Sequence, residues 1–421
     1  MIAFLLIAFV PLAIAGLGLM NAGLGRARNA SHALMAALAA LSISVCVWFL
    51  CGASFMGTAG GAGFSLHIGA TTWDWIGSGG LFLSGFLAKG SPALLVAFMG
   101  IMAAGLASQI PLGSAVDRWR LGAVCASTAL LAGITLPLFA HWAWGGGWLA
   151  QLGANFGLGH GYLDPGGSGV VHVLGGLTAL AVTWIVGPRR GHYSAEGVPM
   201  AVPGHNSVLV LFGCLLALPG FIAMNGAGAL LFAGIDADRL PLIAVNTLLC
   251  AAGGALTAAV VTRVRFTKPD ASLTANGWIG GLVASGAISP FLPPAAALLV
   301  GIGAGAVIPL GVELLDMRLE IDDPSGSIST HVLAGLWGLL AVGMFGRYEA
   351  AASGQLLAQI VGMATLFGFA LPAAWALNSL LNLGMRQRAS AEGEYQGMDL
   401  SELGSGAYPE FMTHSDDFMP R

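Results

Sequence analysis

The sequence predicts an all-α membrane protein whose chain crosses the bilayer many times. Of its 421 residues, 56% are hydrophobic and only 9% are charged, whereas soluble domains contain about 25% charged residues. The 64 glycines fit the same class, because small residues let membrane helices pack closely. A formal net charge of −4 without a basic cluster argues against nucleic acid as a partner.

Apolar runs of about 20 residues, long enough to span a bilayer, predict the individual helices. The first run lacks a basic start and continues past signal-peptide length, so we expect it to be retained as a span. Residues 1–388 form the predicted membrane domain, and the polar, acidic residues 389–421 form a cytoplasmic tail that is disordered by composition. We interpret eleven runs as transmembrane helices: 1–24, 32–56, 92–115, 121–143, 166–187, 206–228, 240–262, 273–290, 294–315, 327–346 and 354–384.

The positions of Lys and Arg predict the orientation of the chain. If the N-terminus lies outside, all but three of the 16 Lys and Arg residues lie in inner segments; the exceptions are Lys89, Arg239 and Arg347. The positive-inside rule then places the C-terminus in the cytoplasm, in agreement with an odd number of spans. Two outer segments, 57–91 and 145–165, are long, and they either shape an entrance or merely cap the bundle.

A duplicated motif opens the fifth and tenth predicted spans. Residues 164–177 read DPGGSGVVHVLGGL and residues 323–336 read DPSGSISTHVLAGL, with a lone His eight residues after each Asp. An N-cap Asp followed by Pro at the first helical position is typical of a helix start. Eight residues along that helix, each His lies about 12 Å inside.

The spacing of the two motifs predicts an inverted repeat. They are five spans apart, an odd number, so the second copy enters the membrane from the opposite side. The halves are about 1–190 and 205–350, and 354–384 is an added helix. Both histidines approach the middle of a core about 30 Å thick, and the symmetry of the repeat favours contact between His172 and His331.

The two histidines have a structural and a functional interpretation. A single buried His is usually a packed structural residue, but duplication in register favours a pair that faces the bundle interior. Two neutral imidazoles can relay a small hydrogen-bonding solute or a proton. Zinc is a poor alternative without a third ligand, and the five cysteines show no ligand spacing and suit packing. We therefore predict neither metal nor cofactor.

Three further residues have structural interpretations, and two of them, Asp164 and Trp144, also have a functional one. Asp164 and Asp323 are predicted helix N-caps, and Asp164 could also concentrate cations at an outer entrance. Trp144 precedes three glycines in the outer segment. Its indole either anchors the chain at the membrane interface or binds a small cation on its face. The residues alone favour the anchor.

Taken together, these features resemble the ammonium transporter (Amt/Rhesus) family over nearly the whole chain. The resemblance implies a homotrimer in the plasma (inner) membrane with one pore per subunit and no enzymatic activity. It implies that ammonium is gathered outside and passes as ammonia, with or without a separately relayed proton. It also implies a PII-type regulatory partner at the tail. Besides the twin motifs, it rests on Gly18-Leu19-Met20-Asn21-Ala22-Gly23, Asp117-Arg118-Trp119-Arg120, Trp144-Gly145-Gly146-Gly147, His205-Asn206, Gly397-Met398-Asp399 and Ala407-Tyr408-Pro409.

By position, the resemblance assigns roles to individual residues. His172 and His331 match the family's pore histidines, and Asp164 and Trp144 match its recruitment site. A recruitment Ser falls on Gly228, which we keep as a recruitment position. The two gate phenylalanines fall on Met224 and Ala103, and the candidates that could replace them are Phe98, Phe212 and Phe221.

Two rival functions follow from the same residues. The altered gate is compatible with an ammonium sensor or regulator, or with a neutral-gas channel, on the same fold. An unrelated ion-coupled transporter with an inverted repeat is the second rival. It predicts buried carboxylates at mid-depth, whereas Asp236, Glu313 and Asp316 lie near the ends of spans.

Overall fold

Long helices dominate the computed structural model, which describes residues 1–58, 62–69, 71–348 and 353–408. Each predicted span overlaps one helix. Within the described residues, nine helices are long and apolar enough to cross a membrane, so the helical membrane class is confirmed and the count of eleven crossings stays a prediction. The helices are α1 (Ile2–Leu24), α2 (Ala27–Met56), α3 (Ser91–Ser114), α4 (Leu121–Ala143), α5 (Ser168–Val186), α6 (Ser207–Phe232), α7 (Ala237–Phe266), α8 (Ala271–Ile288), α9 (Pro294–Arg318), α10 (Ser329–Phe345) and α11 (Gln355–Gly384). The shorter α10 and the Gly-rich α8 are not among the nine.

Close packing of equivalent helices relates the two predicted halves. Helices α1 and α6 each open a half, and they touch backbone to backbone: a β-carbon at Gly16 would overlap Gly213, and the reverse also holds. Helices α5 and α10 carry the duplicated motifs and pack against each other near their starts. Small residues are what permit such approaches between membrane helices.

The predicted outer segment 57–91 contains a β-hairpin that no sequence pattern indicated. Strands β1 (Ala62–Ile68) and β2 (Thr71–Gly77) pair antiparallel, and the short helix Ser84–Lys89 follows. The Asp74 carboxylate accepts a hydrogen bond from Gln151 Nε2 at 2.8 Å, which ties the hairpin to the segment 145–165. The four residues 59–61 and 70 lie outside the described part of the chain.

Three connections at the predicted cytoplasmic side meet in one buried ion cluster. Arg189 Nη2 lies 2.8 Å from Asp322 Oδ1, Arg189 Nη1 lies 3.5 Å from Asp117 Oδ2, and Arg118 Nη2 donates to the Asp322 carbonyl at 2.7 Å. Burial alone would raise the pKa of Asp322, but Arg118 and Arg189 lower it to about 2. The charges therefore hold together the α3–α4, α5–α6 and α9–α10 connections.

The tail is folded over residues 389–408, so the expectation of disorder is wrong there. A short helix, α12 (Ala391–Gln396), presents Glu394, which is 2% exposed. Its carboxylate pairs with Arg388 at 2.9 Å and with Arg190 at 3.4 Å. Asp399 accepts from the His32 backbone N–H near the start of α2 at 2.7 Å. These buried carboxylates anchor a segment whose composition indicated disorder; residues 409–421 lie outside the described part.

Candidate functional site

The two motif histidines are in direct contact at the centre of the bundle. His172 Nδ1 and His331 Nδ1 are 3.1 Å apart, and the ring planes differ by 14°. Both side chains are buried. Because neutral imidazole carries one N–H, a hydrogen bond here requires opposite tautomers. One ring then presents a free Nε2 acceptor, and the other presents an Nε2–H donor.

Each histidine lies in a widened helical turn. Residues Ser168–Val173 and Ser329–Leu333 form π-helical turns at the starts of α5 and α10. The His172 backbone N–H, for example, donates to the Gly167 carbonyl at 3.1 Å, five residues back. Such turns are frequent at functional sites. A π-helical turn thus includes the histidine in both motifs, although it begins four residues after Asp164 and six residues after Asp323.

Of the three phenylalanines that could replace the gate, Phe221 contacts a histidine. Its ring stacks on His172 with centroids 5.1 Å apart and planes within 11°. Phe98 instead packs against Phe4 of α1, and Phe212 is 57% exposed on the outside of the bundle. Phe221 therefore covers one face of the histidine pair.

The positions that correspond to the family gate are filled by smaller or more flexible side chains. Ala103 of α3 and Met224 of α6 are both fully buried in the apolar core. Met224 lies one helical turn beyond Phe221. A role for either residue in gating stays a prediction.

Asp164 caps α5, as predicted. Its Oδ2 accepts from the backbone N–H groups of Gly169 and Val170, both at 2.8 Å. Its Oδ1 is buried and has no hydrogen-bond partner among the described residues. Burial raises the pKa of the Asp164 carboxyl above its ordinary value, while the backbone N–H groups oppose that effect. A carboxyl in this state can exchange a proton as well as attract a cation.

Trp144 contacts the first motif and does not lie at a lipid-facing interface. The indole is 7% exposed, and its Nε1–H donates to the Asp164 carbonyl at 2.7 Å. Its ring stacks on Phe232 with centroids 4.6 Å apart. The interpretation as an interface anchor is therefore wrong. Phe232 was missed because it lies beyond the predicted end of its span.

The backbone around Gly228 explains the missing Ser. Gly228 of α6 packs against the turn after Asp164, and a β-carbon there would overlap the Pro165 carbonyl oxygen. A Ser at this position would require the first motif to move. Gly228 thus lies beside the recruitment site but contributes no hydroxyl to it.

Cavities adjoin both motifs on opposite sides of the histidine pair. A cavity of about 530 Å³ at the predicted outer face includes Leu163, Phe232, Asp236 and Asp238 in its lining. A cavity of about 430 Å³ at the opposite face includes Asp323 and Pro324. The segment 145–165 therefore helps to shape the outer opening.

A narrow polar chamber lies directly under His331. Its free volume is about 10 Å³, which is close to the minimum for one water molecule. Hydroxyl and amide groups dominate its polar lining, and Thr330 Oγ1 has no hydrogen-bond partner among the described residues. The sequence analysis quoted four of these residues within motifs but gave none of them a role at the site, and it did not mention Asn276; the five are Asn21, Asn276, Ser325, Ser327 and Thr330.

This arrangement is typical of channels and transporters for small solutes. Helices of membrane-spanning length enclose a pair of hydrogen-bonding rings, and a cavity lies on either side of the pair. The chain belongs to the Ammonium Transporter Family, whose model matches residues 1–408. This membership sets aside the unrelated ion-coupled transporter.

Named relatives and solved structures agree with the family. The ammonium transporter Amt2 of Archaeoglobus fulgidus is 34% identical over 94% of this chain and 85% of that protein. Amt2 of Haloferax mediterranei is 32% identical over 94% and 87%. A solved structure titled "Sensor Amt Protein" has a TM-score of 0.85 at 26% identity, covering 95% and 97%. Mep2 of Candida albicans, at 23% identity, shares the fold with a TM-score of 0.79, covering 98% and 91%.

Proposed function

We propose that the protein transports ammonium by conducting ammonia past His172 and His331. The buried contact between the two rings, with an opening on either side, is the observation that carries the proposal. Membership in a transporter family supports ammonium as the substrate and argues against an enzyme.

We assign the recruitment of ammonium to the outer cavity and the first motif. The cavity lining contains the carboxylates of Asp236 and Asp238 but also Arg239 and Arg347, so its charges balance, and attraction of the cation depends on Asp164 of the first motif. The Trp144 indole, one face of which is covered by Phe232, lies further along the proposed route, together with Asp164 Oδ1, which has no hydrogen-bond partner among the described residues. Burial of a cation in the apolar centre costs much free energy, so ammonium gives up a proton, which the Asp164 carboxylate would accept through Oδ1, before it reaches the histidines. An alkali cation has no proton to give up and is excluded.

Passage depends on the hydrogen-bonding edges of the two rings. Ammonia both donates and accepts hydrogen bonds, so it can accept from an Nε2–H and donate to a free Nε2. Phe221 packs on His172 and would limit access to species that displace its ring. Below His331, the hydroxyls of Ser327 and Thr330 would bind ammonia before it is protonated again.

The proposal also includes the predicted domain organisation, membrane orientation, oligomeric state and partner. The membrane domain is 1–388, with inverted halves of about 1–190 and 205–350 and a helix at 354–384, followed by the tail from 389. The N-terminus lies outside the plasma (inner) membrane and the protein is a homotrimer. The arginine-rich inner connections and the packing of α1 on α6 support this topology. The docked tail offers a PII-type protein a folded surface.

The test is ammonium transport in proteoliposomes by the full chain. We expect His172→Ala to lower ammonium flux at least about tenfold, the effect of losing about 1.4 kcal/mol of barrier stabilisation. His67→Ala is the matched control, because His67 is an exposed residue of β1. Unchanged flux in His172→Ala would contradict the proposal.

The same measurement separates the alternatives on this fold. A neutral-gas channel would give flux without current when ammonium is added, whereas a separately relayed proton would give both. A sensor would bind ammonium and give no flux. The sensor has less support, because the relatives at 34% and 32% identity are named transporters.

A further inference from the structure

The chamber under His331 is the narrowest cavity that the described residues form on the proposed path. Its free volume is about 10 Å³, whereas the cavities toward the outer and inner faces measure about 530 Å³ and 430 Å³. Asp323 lines the inner cavity, and the next part of the second motif, up to His331, lines the chamber. A solute that leaves the histidines would therefore pass through a space that holds one molecule the size of water.

Hydrogen bonds hold the walls of this chamber in place. Asn21 Nδ2 donates to the Gln109 carbonyl at 2.9 Å, and Asn276 Nδ2 donates to the Ser325 carbonyl at 2.9 Å. The hydroxyls of Ser325 and Ser327 are hydrogen-bonded to each other. Because packed interiors do not expand freely, a larger molecule would have to displace these hydrogen-bonded groups.

Oxygen atoms that accept hydrogen bonds dominate the lining. A backbone carbonyl can only accept, so Asn21 and Asn276 direct their NH₂ groups at the carbonyls and keep their side-chain oxygens as acceptors. Thr330 is 2% exposed, and its Oγ1 has no hydrogen-bond partner among the described residues. Among the described residues that line the chamber, His331 alone is titratable. The chamber therefore suits a small neutral molecule that donates several hydrogen bonds, as ammonia does with its three N–H bonds.

The two copies of the motif differ at this point. Thr330 corresponds to Val171, which is fully buried and has no hydroxyl. Ser327 corresponds to Ser168, whose hydroxyl donates to the Val283 carbonyl at 2.6 Å. At these positions the hydroxyl without a partner thus occurs only on the inner side of the histidine pair.

We infer that this chamber selects ammonia over amines that carry a carbon substituent, and that Thr330 determines the selectivity. The inference rests on the proposed conduction of ammonia past the histidines. Methylamine, the smallest such amine, is larger than the free volume, and its methyl group takes the place of one N–H and faces an acceptor oxygen. A site lined by hydrogen-bonding groups rejects an analogue that lacks the matching hydrogen, because a buried polar group then loses its partner.

Flux of the two cations into proteoliposomes tests the inference with the full-length protein. Ammonium and methylammonium would be supplied separately at the same concentration and pH, and the flux into protein-free liposomes would be subtracted. We expect the wild type to carry methylammonium at least about tenfold more slowly than ammonium, the usual effect of one extra carbon in a filled pocket. Thr330→Ser removes one methyl group and keeps the hydroxyl, so we expect the ratio of methylammonium flux to ammonium flux to rise about fourfold, the effect of one methylene.

Thr178→Ser is the matched control. Thr178 of α5 is also buried and does not line the chamber, so its flux ratio should stay at the wild-type value, and the Tm of both variants would report their folding. Equal fluxes of the two cations in the wild type would overturn the selectivity and leave the proposed function intact. No flux of ammonium at all would contradict the proposed function itself and the inference with it. An unchanged ratio in Thr330→Ser, or an equal rise in Thr178→Ser, would overturn the role of Thr330.

Discussion

At the scale of single residues, the proposed pore depends on where side chains are small and where they are rigid. His172 and His331 meet at 3.1 Å because the turns that carry them approach closely, and Phe221 packs on one ring. Gly228 lets α6 approach the turn after Asp164 without a β-carbon in between. The site therefore combines a fixed pair of imidazoles with a backbone that tolerates little added volume.

Gly228→Ser tests that limit. The new side chain would overlap the Pro165 carbonyl, and adding volume to a packed interior costs about 1–3 kcal/mol. We expect a lower Tm together with reduced ammonium flux. Gly368→Ser is the control, because a β-carbon at Gly368 of α11 meets no atom within 4 Å. A normal Tm and flux for Gly228→Ser would show that the backbone of the first motif can shift to accommodate the new side chain without loss of stability.

At the scale of elements, buried ion pairs hold several of the connections between helices together. The cluster of Asp322, Arg118 and Arg189 joins three connections, and Asp322 directly precedes the second motif. Asp323 Oδ2 accepts from the Ile328 N–H at 2.7 Å and so caps the start of α10. The depth of His331 is thus set by contacts outside the membrane span.

Asp322→Asn should be strongly destabilising. Removing one partner from a buried charge cluster leaves the other charges uncompensated and costs about 3–5 kcal/mol. Thermal unfolding in detergent would measure the loss, with the exposed Asp236→Asn as control. Because Arg118 and Arg189 keep the pKa of Asp322 near 2, its contribution is complete above its unfolded pKa of about 4 and is lost only as the pH falls through about 2. The difference between wild type and variant should therefore persist at every pH above about 5.

At the scale of the whole molecule, the tail joins parts of the chain that are far apart in sequence. Glu394 connects it to Arg190 after α5, Asp399 caps the start of α2, and Glu402 caps the start of α4. Tyr408 extends the contact to His205 before α6. The tail can therefore respond to movement of several helices at once.

Glu394→Gln should release the tail. A hydrogen bond to a charged group contributes about 1.5–3 kcal/mol, so the population of undocked tail should rise at least about tenfold. Limited proteolysis between residues 389 and 408 would report that population. Glu392→Gln is the control, since Glu392 is an exposed neighbour in α12. Equal cleavage of the two variants would show that Glu394 does not hold the tail.

Much of the architecture follows from the sequence alone, because its signals are local or periodic. Apolar runs predict the helices, since the bilayer sets their length. The duplicated Asp-Pro motif predicts two capped helix starts, and the odd number of spans between the copies predicts opposite entry. The proximity of His172 and His331 follows from that symmetry, although no local sequence pattern specifies a contact between the two side chains.

Only the tertiary structure decided the contacts around that pair. Phe221 rather than Phe98 or Phe212 covers His172, Phe232 stacks on Trp144, and the acidic tail is folded. Each contact joins segments with no shared periodic pattern, so side-chain shape and burial select the partner after the helices have packed. The sequence by itself determined which apolar helices form and predicted how the halves repeat. Packing across the bundle decided what surrounds the proposed path, because those contacts depend on distances that no local pattern encodes.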